Sequence, residues 1–213
     1  MARMPATERR VALGQAALRV IARDGIHAAT TRAIVAEAGM PLASFHYAVA
    51  SREELLRDVV DLVVAGEGAA AFNSLALEAA DLSTAVRAVL GSYLDLVRAD
   101  PGREQAMFEL TQHALRSPAL ADLPAAQYAQ YRHLARQLVD AVAERYDVGW
   151  DVEPDDLAAL VIALSDGATL SWLATRDDDA AERLLDLATD AIVAHAIPNH
   201  STSSATRRLK ETP

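Results

Sequence analysis

The sequence predicts an all-α protein of about nine helices, with a small N-terminal three-helix unit followed by a larger helical domain. Three observations predict it. Apolar residues recur at helical spacing through most of the 213-residue chain, alternating β-branched runs are missing, and the intervals between periodic segments are marked by Gly, Pro and Asp. Nothing in the pattern reads as a strand.

The elements follow in order. The spacing predicts a first helix over residues 7–23, with Leu13, Ala17, Val20 and Ile21 on its buried stripe and Asp24-Gly25 ending it. Thr30 or Thr31 caps a second helix, in which Ile34, Val35 and Ala38 recur at helical spacing, and Gly39 can take the positive φ of a sharp turn. Pro41 suits the first turn of a third helix over residues 42–49, where no N–H is required. Phe45 and Val49, at i and i+4, face inward, which leaves Ala43, Ser44, His46 and Tyr47 on or near the outer face. Ser51 caps a fourth helix, with Glu53 and Glu54 near its positive end. Leu55, Val59, Leu62 and Val63 carry that helix forward, and Gly66 and Gly68 are expected to loosen or end it.

Five further helices are expected. They cover residues 83–98 (capped by Ser83 and stopped by Asp100-Pro101-Gly102), 104–115, 125–146, 154–174 and 179–196. Ile197-Pro198 stops the last. Residues 1–50 are read as one domain and residues 51–197 as a second. Residues 198–213 are polar and aperiodic, and are expected to be disordered.

Composition excludes several classes. Cysteine is absent, so disulfides and thiolate metal sites are impossible. The six histidines are scattered, without H-E-x-x-H or paired E-x-x-H spacing, so no metal site and no cofactor is expected. There is no G-x-S-x-G and no phosphate-cradling Gly loop, and the chain is not read as an enzyme. No apolar run is read as reaching membrane-spanning length, and the N-terminus lacks an apolar leader, which points to a cytoplasmic protein without a membrane partner. Net charge is −10, but unevenly spread. Residues 1–60 hold eight Arg and six Asp/Glu (+2), leaving twelve Arg/Lys and twenty-four Asp/Glu (−12) in residues 61–213. Salt screening confines charge effects to about 8–10 Å, so the distant acidic domain need not oppose phosphate contact by the first.

Two short helices around a glycine turn form the geometry that carries a recognition helix into a DNA major groove. Pro41, Leu42 and Ala43 are then placed to touch thymine methyls or sugars, and Ser44, His46 and Tyr47 to meet base edges or phosphates. Thr30, Thr31 and Arg32 stand at a helix N-terminus, where phosphate contact is favourable. Arg9 and Arg10 either add contacts from the N-terminal arm or are ordinary solvated arginines.

The segment resembles the helix-turn-helix of the TetR (tetracycline-repressor-like) regulators. Thr30, Ile34, Ala38, Gly39, Phe45, Ser51, Glu54 and Leu55 match or nearly match its pattern, and Arg52 stands at the Lys position. Val35 replaces the usual Ala, His46 the usual Tyr, and Ala48-Val49 the usual His-Phe pair, while a subset of the family places its Tyr where Tyr47 stands. The match covers about residues 8–60. It implies phosphate contacts for Tyr47 and Arg52, double-stranded operator DNA as a partner, and a homodimer joined through a bundle of the last two helices. Leu157, Leu160, Val161, Leu164, Ala168 and Trp172 on one helix, with Leu184, Leu187, Ala191 and His195 on the other, supply the apolar stripes for it. An intramolecular core is the alternative reading of these stripes, and function favours the dimer. The resemblance also implies a small-molecule effector of unknown identity. Tyr93, Met107, Phe108, Gln112, His113, Asp166 and Trp172 mix apolar area with polar groups as pockets do, and each also reads as ordinary core or surface.

The reading that follows is a ligand-responsive transcriptional regulator, a repressor released from its operator when ligand shifts the helix after Arg52. The alternatives are a helical ligand-binding or protein-interaction module without DNA binding, kept open by Ala48-Val49, and an all-helical metalloenzyme.

Overall fold

A computed structural model describes residues 4–199. Nine α-helices run through them: α1 (Ala6–Asp24), α2 (Thr31–Glu37), α3 (Leu42–Ala48), α4 (Arg52–Ala76), α5 (Leu82–Ala99), α6 (Pro101–Ala114), α7 (Leu123–Tyr146), α8 (Pro154–Thr175) and α9 (Asp178–Val193). A single 3-10 turn, Pro118–Leu120, lies between α6 and α7. The residues expected to form a disordered tail lie outside the described residues, except Pro198 and Asn199.

Caps explain most of the boundaries. Thr30 Oγ1 accepts from Ala33 N at 3.2 Å to start α2, and Ser51 Oγ accepts from Glu54 N at 3.0 Å to start α4. Glu54 Oε2 answers by accepting from Ala50 N at 2.7 Å, so two otherwise orphaned donors are satisfied together. Gly25 and Gly39 take φ of +84° and +64°, the left-handed values that let α1 and α2 turn sharply. Asp81, rather than Ser83, caps α5, its carboxylate accepting from Thr84 N at 2.8 Å. Asp100 ends α5 and also caps α6, accepting from Arg103 N at 3.0 Å, with Pro101 in the first turn. The Asp-Pro-Gly stop is therefore also a start, and α6 begins three residues before the position expected for it.

Two expectations fail. Helix α4 does not loosen at Gly66 or Gly68 but continues unbroken to Ala76. Gly68 instead permits close helix approach: a Cβ there would stand 3.1 Å from Leu134 Cδ1 of α7. The second failure concerns strands. Val148–Trp150 (β1) pairs antiparallel with Ala196–Pro198 (β2), in the register Val148 to Pro198, Gly149 to Ile197 and Trp150 to Ala196. Three-residue strands are too short to show period-two alternation, which is why the pattern did not reveal them. The pairing ends α9 at Val193 and ties it back to the α7–α8 junction, aided by His195 Nδ1 at 2.8 Å from Asp151 Oδ1.

A third correction concerns apolar length. Helices α4 and α8 each contain an 18-residue window long and apolar enough to cross a membrane, with mean hydropathies of 1.3 and 1.6. Helix α4 packs against α1, α5 and α7 and carries Glu67 in the middle of its apolar stretch. Helix α8 packs on α7 and α9, carries Asp166, and leaves part of its apolar surface uncovered.

Two cores hold the molecule. The first joins Leu13, Ile21, Ile34, Phe45, Leu55 and Val59 to Met107, Leu110 and Leu123, so it crosses the division at residue 50 and fixes the N-terminal helices onto α6. The second packs Leu90, Leu94 and Val97 of α5 against Leu157 and Trp172 of α8 and Leu185 and Ile192 of α9. Arg98 adds bonds to Asp178 at 2.8 Å and Glu182 at 2.7 Å, fastening α5 to α9.

Candidate nucleic-acid interface and effector cavity

Helix α3 is held by one face and offers the other. Phe45 and Val49 are 1% and 3% exposed in the first core. Pro41, Leu42, Ala43, His46 and Tyr47 are exposed, Tyr47 the most so at 71%, and Ser44 is half-buried. The His46 ring leans edge-on against Phe45 at 5.7 Å, which restricts its swing. Across the turn, Thr30 and Arg32 are exposed and Thr31 is half-buried. Arg32 makes no hydrogen bond or ion pair among the described residues.

Arg52 is engaged within the fold. Its Nε donates to the Ala29 carbonyl at 2.6 Å and its Nη2 to the Ile26 carbonyl at 2.7 Å. Half-buried, it is committed to the loop between α1 and α2, and so positions α2 from behind. Arg10 is likewise engaged, bonding Asp58 at 2.6 Å and Glu54 at 2.7 Å to brace α1 on α4. Arg9 donates to the Met4 carbonyl at 3.0 Å.

The same loop is gripped from the second domain. Glu109 Oε1 of α6 accepts from Ile26 N at 2.9 Å, and the His113 ring of α6 meets His27 edge-on at 5.4 Å. Burial, and then the charges of Arg52 and His27, hold the His113 imidazole below the usual histidine range. Gly25 leaves room for this arrangement, because a Cβ there would lie 3.2 Å from Glu109 Oε1.

One turn away along α6, Met107, Phe108 and Thr111 line a cavity of about 110 Å³ among α4, α5, α6, α7 and α8. Of the residues expected in a pocket, Tyr93, Met107, Phe108 and Asp166 line it. The other three do not. Gln112 is exposed on the outer side of α6, and His113 faces the α1–α2 loop. Trp172 belongs to the second core, with its indole Nε1 donating to Asp178 at 2.9 Å and the Arg176 guanidinium 4.4 Å above its ring. Sequence reasoning missed Glu67, Tyr128 and Tyr131, which also line the cavity. Glu67 had a signal: a lone acid in the apolar middle of α4. Tyr128 and Tyr131 had none, being aromatic positions on a long helix whose inward side only packing reveals.

Polar groups in the cavity are mostly paired. Tyr128 Oη donates to Asp166 Oδ2 at 2.7 Å, and Thr111 Oγ1 donates to Gln127 Oε1 at 2.9 Å. Gln127 Nε2 in turn donates to Tyr131 Oη at 3.3 Å. Burial raises the Asp166 carboxyl above the ordinary aspartate range, and the Tyr128 bond opposes this.

The last two helices contribute in two directions. Leu157, Ala168 and Trp172 are core within the chain, and Val161 lines the cavity, so these members of the expected dimer stripe are intramolecular. Exposed on the outer side are Ala163, Gly167 and Leu170 of α8, and Leu187 and Ala191 of α9, with Leu170 and Leu187 at 59% and 65%.

The arrangement is that of a helix-turn-helix regulator with a ligand cavity behind its DNA-binding unit. Residues 14–59 match the family described as bacterial regulatory proteins, tetR family, and residues 82–196 match the C-terminal domain of BetI-type transcriptional repressors. The nicotine-responsive transcriptional repressor HdnoR of Paenarthrobacter nicotinovorans is 30% identical over 193 residues, spanning 89% of this chain and 96% of that protein. A transcriptional regulator from Rhodococcus sp. Rha1 superposes with a TM-score of 0.71 at 22% identity, over 89% of this chain and 99% of the other. The multidrug binding protein EbrR, in complex with imidazole, superposes with a TM-score of 0.58 at 27% identity, over 85% and 89%. The chain belongs to the TetR family of bacterial regulators. Its function is that of a ligand-responsive, DNA-binding transcriptional repressor.

Proposed function

We propose that this chain acts as a cytoplasmic homodimer, without catalytic activity, which places two α3 helices in successive major grooves of its operator and leaves when a small organic molecule enters the cavity. Residues 1–50 form the DNA-binding domain in this reading and residues 51–197 the effector-binding and dimerisation domain. On α3 and the turn before it, Ser44, His46, Tyr47 and the apolar Pro41, Leu42 and Ala43 meet the groove. Thr30, Thr31 and Arg32 hold the backbone beside them. Arg52 acts indirectly, by fixing the loop that presents Thr30. The exposed small and leucine residues of α8 and α9 form the subunit contact, whose two-fold symmetry the paired half-sites require.

The observation that carries the reading is the double use of α6. One side lines the cavity with Met107 and Phe108, and the other holds the α1–α2 loop through Glu109. A ligand that displaces α6 therefore disturbs the loop that positions α2 and, through it, α3. For release, the ligand has to favour the displaced state, since equal affinity for both states shifts nothing. HdnoR responds to nicotine and EbrR has been seen with imidazole, which supports a small organic effector here.

A reporter driven by the DNA upstream of this gene tests the repressor reading. Deleting the gene raises reporter output, and re-expressing wild type, but not Tyr47→Ala, lowers it again. Output that falls on deletion would instead make the protein an activator at that site.

A further inference from the structure

We propose that the cavity takes a small organic monocation, a protonated amine on an apolar body of about one ring, with Glu67 as its counter-ion. The proposal rests on reading this cavity as the effector site and names the chemistry that fits it.

The acids of the cavity are not all partnered. Three carboxyl side chains, Glu67, Glu104 and Asp166, line it. Arg103 is committed to Glu104, at 2.5 Å through Nη2 and 2.8 Å through Nε. Asp166 receives the Tyr128 hydroxyl. Glu67 is left over. It is 8% exposed, makes no hydrogen bond or ion pair among the described residues, and its Oε1 is fully buried without a partner. A buried carboxyl in that condition is costly, and a cation supplied from outside would relieve it.

The surroundings suit a cation better than an anion or a neutral donor. The hydroxyls of Tyr93 and Tyr131 already accept bonds, from Thr169 at 3.1 Å and Gln127 at 3.3 Å, and their rings add faces of negative potential. No free cationic side chain lines the cavity to receive an anion. The apolar remainder, with Leu90, Met107 and Phe108, matches a hydrocarbon body. Its volume of about 110 Å³ compares with the roughly 150 Å³ apolar cavity that holds benzene.

With no cation beside it, Glu67 keeps its proton below about pH 8. Burial, reinforced by the neighbouring Glu104 and Asp166 and opposed by Arg103, pushes its carboxyl up to about 8. An arriving ammonium displaces that proton to solvent, so the site exchanges H⁺ for the ligand cation and its net charge is unchanged. Below the Glu67 titration, affinity therefore rises about tenfold for each unit of pH.

The test is isothermal titration of the full chain at pH 8 with three probes of one shape: benzylammonium, benzyl alcohol and benzoate. Wild type is expected to bind benzylammonium at least tenfold more tightly than benzyl alcohol, and benzoate more weakly than either. Glu67→Gln, which keeps size and fold, is expected to remove that preference while still binding benzyl alcohol. On wild type at pH 7, the binding heat should vary with the ionisation heat of the buffer in the sense of proton release; this measurement needs no variant. Equal binding of ammonium and alcohol, no ammonium binding at millimolar concentration, or a preference that survives Glu67→Gln would each overturn the proposal. Repeating the titration on the operator complex separates the two readings. Benzylammonium that binds with this preference yet leaves operator affinity unchanged overturns the effector reading and leaves the cation site standing. A molecule that releases the operator while the cavity shows no charge preference does the reverse.

Discussion

At the residue scale, exposure separates the side chains proposed to meet DNA from those that hold the fold. Tyr47 and Arg32 are exposed and bonded to nothing among the described residues, so removing either side chain leaves the fold intact. Tyr47→Ala and Arg32→Ala are each expected to weaken operator binding about five- to a hundredfold, roughly 1–3 kcal/mol, with an unchanged melting temperature. Fluorescence anisotropy and thermal melts measure both parts. Arg52→Ala is expected to behave differently, lowering the melting temperature as well, because the Ile26 and Ala29 carbonyls lose their donors. Glu67 gives a second residue-scale prediction. Its carboxyl is raised in the fold, so the stabilising protonated form is retained at low pH and lost as pH rises from about 4.5 through about 8. Glu67→Gln should flatten that decline and stabilise the protein at pH 8.5 by roughly 2–4 kcal/mol in chemical denaturation. A decline of the same size in the variant would show that Glu67 is not its source.

At the scale of elements, α6 is the connection between cavity and DNA unit. Glu109→Ala removes a bond to the α1–α2 loop, which is worth about 1 kcal/mol of stability. It should also reduce the ratio of operator affinities measured without and with effector. An unchanged ratio would place the coupling elsewhere. His113 adds a pH limb to the same junction. Its imidazole is held below the usual range, so the unfolded chain takes up a proton first and stability falls as pH drops below about 6.5; His113→Gln should remove that limb. Much of this scale was legible in the sequence. The glycine turn, the caps at Thr30 and Ser51, and the inward Phe45 and Val49 are local signals, written within four residues of where they act. The cavity was legible only in part, since its walls come from five helices and no local pattern says which side of α6 faces inward. Thus Met107 and Phe108 were found, but Gln112 and His113, on the other side, were included with them. The bonds of Arg52 to the α1–α2 loop escaped for the same reason, because its partners lie more than twenty residues earlier in the chain. The strands β1 and β2 were too short to leave a periodic signature.

At the scale of the whole molecule, charge and symmetry decide how the unit is used. The N-terminal 60 residues carry +2 and the remainder −12, so the acidic body disfavours loose association with DNA, and in the proposed reading α3 and its flanks supply the local contact. A single seven-residue helix offers little area, and the proposed dimer would multiply its affinity by holding two copies together. Leu170→Glu with Leu187→Asp places acids on the exposed apolar surface of α8 and α9. This pair is expected to give monomers by light scattering, with helical content retained and operator binding lost; a dimer that persists would put the subunit contact on another surface. The central claim, sequence-specific recognition of an operator by this fold, is tested most directly by fluorescence anisotropy. Wild-type protein is titrated onto the duplex upstream of its own gene across a salt series, with unrelated DNA as competitor. Tight binding that resists the competitor, and whose log affinity falls linearly with log salt, is the predicted result. Binding no tighter than to unrelated DNA, at that duplex and across the neighbouring intergenic DNA, would contradict it.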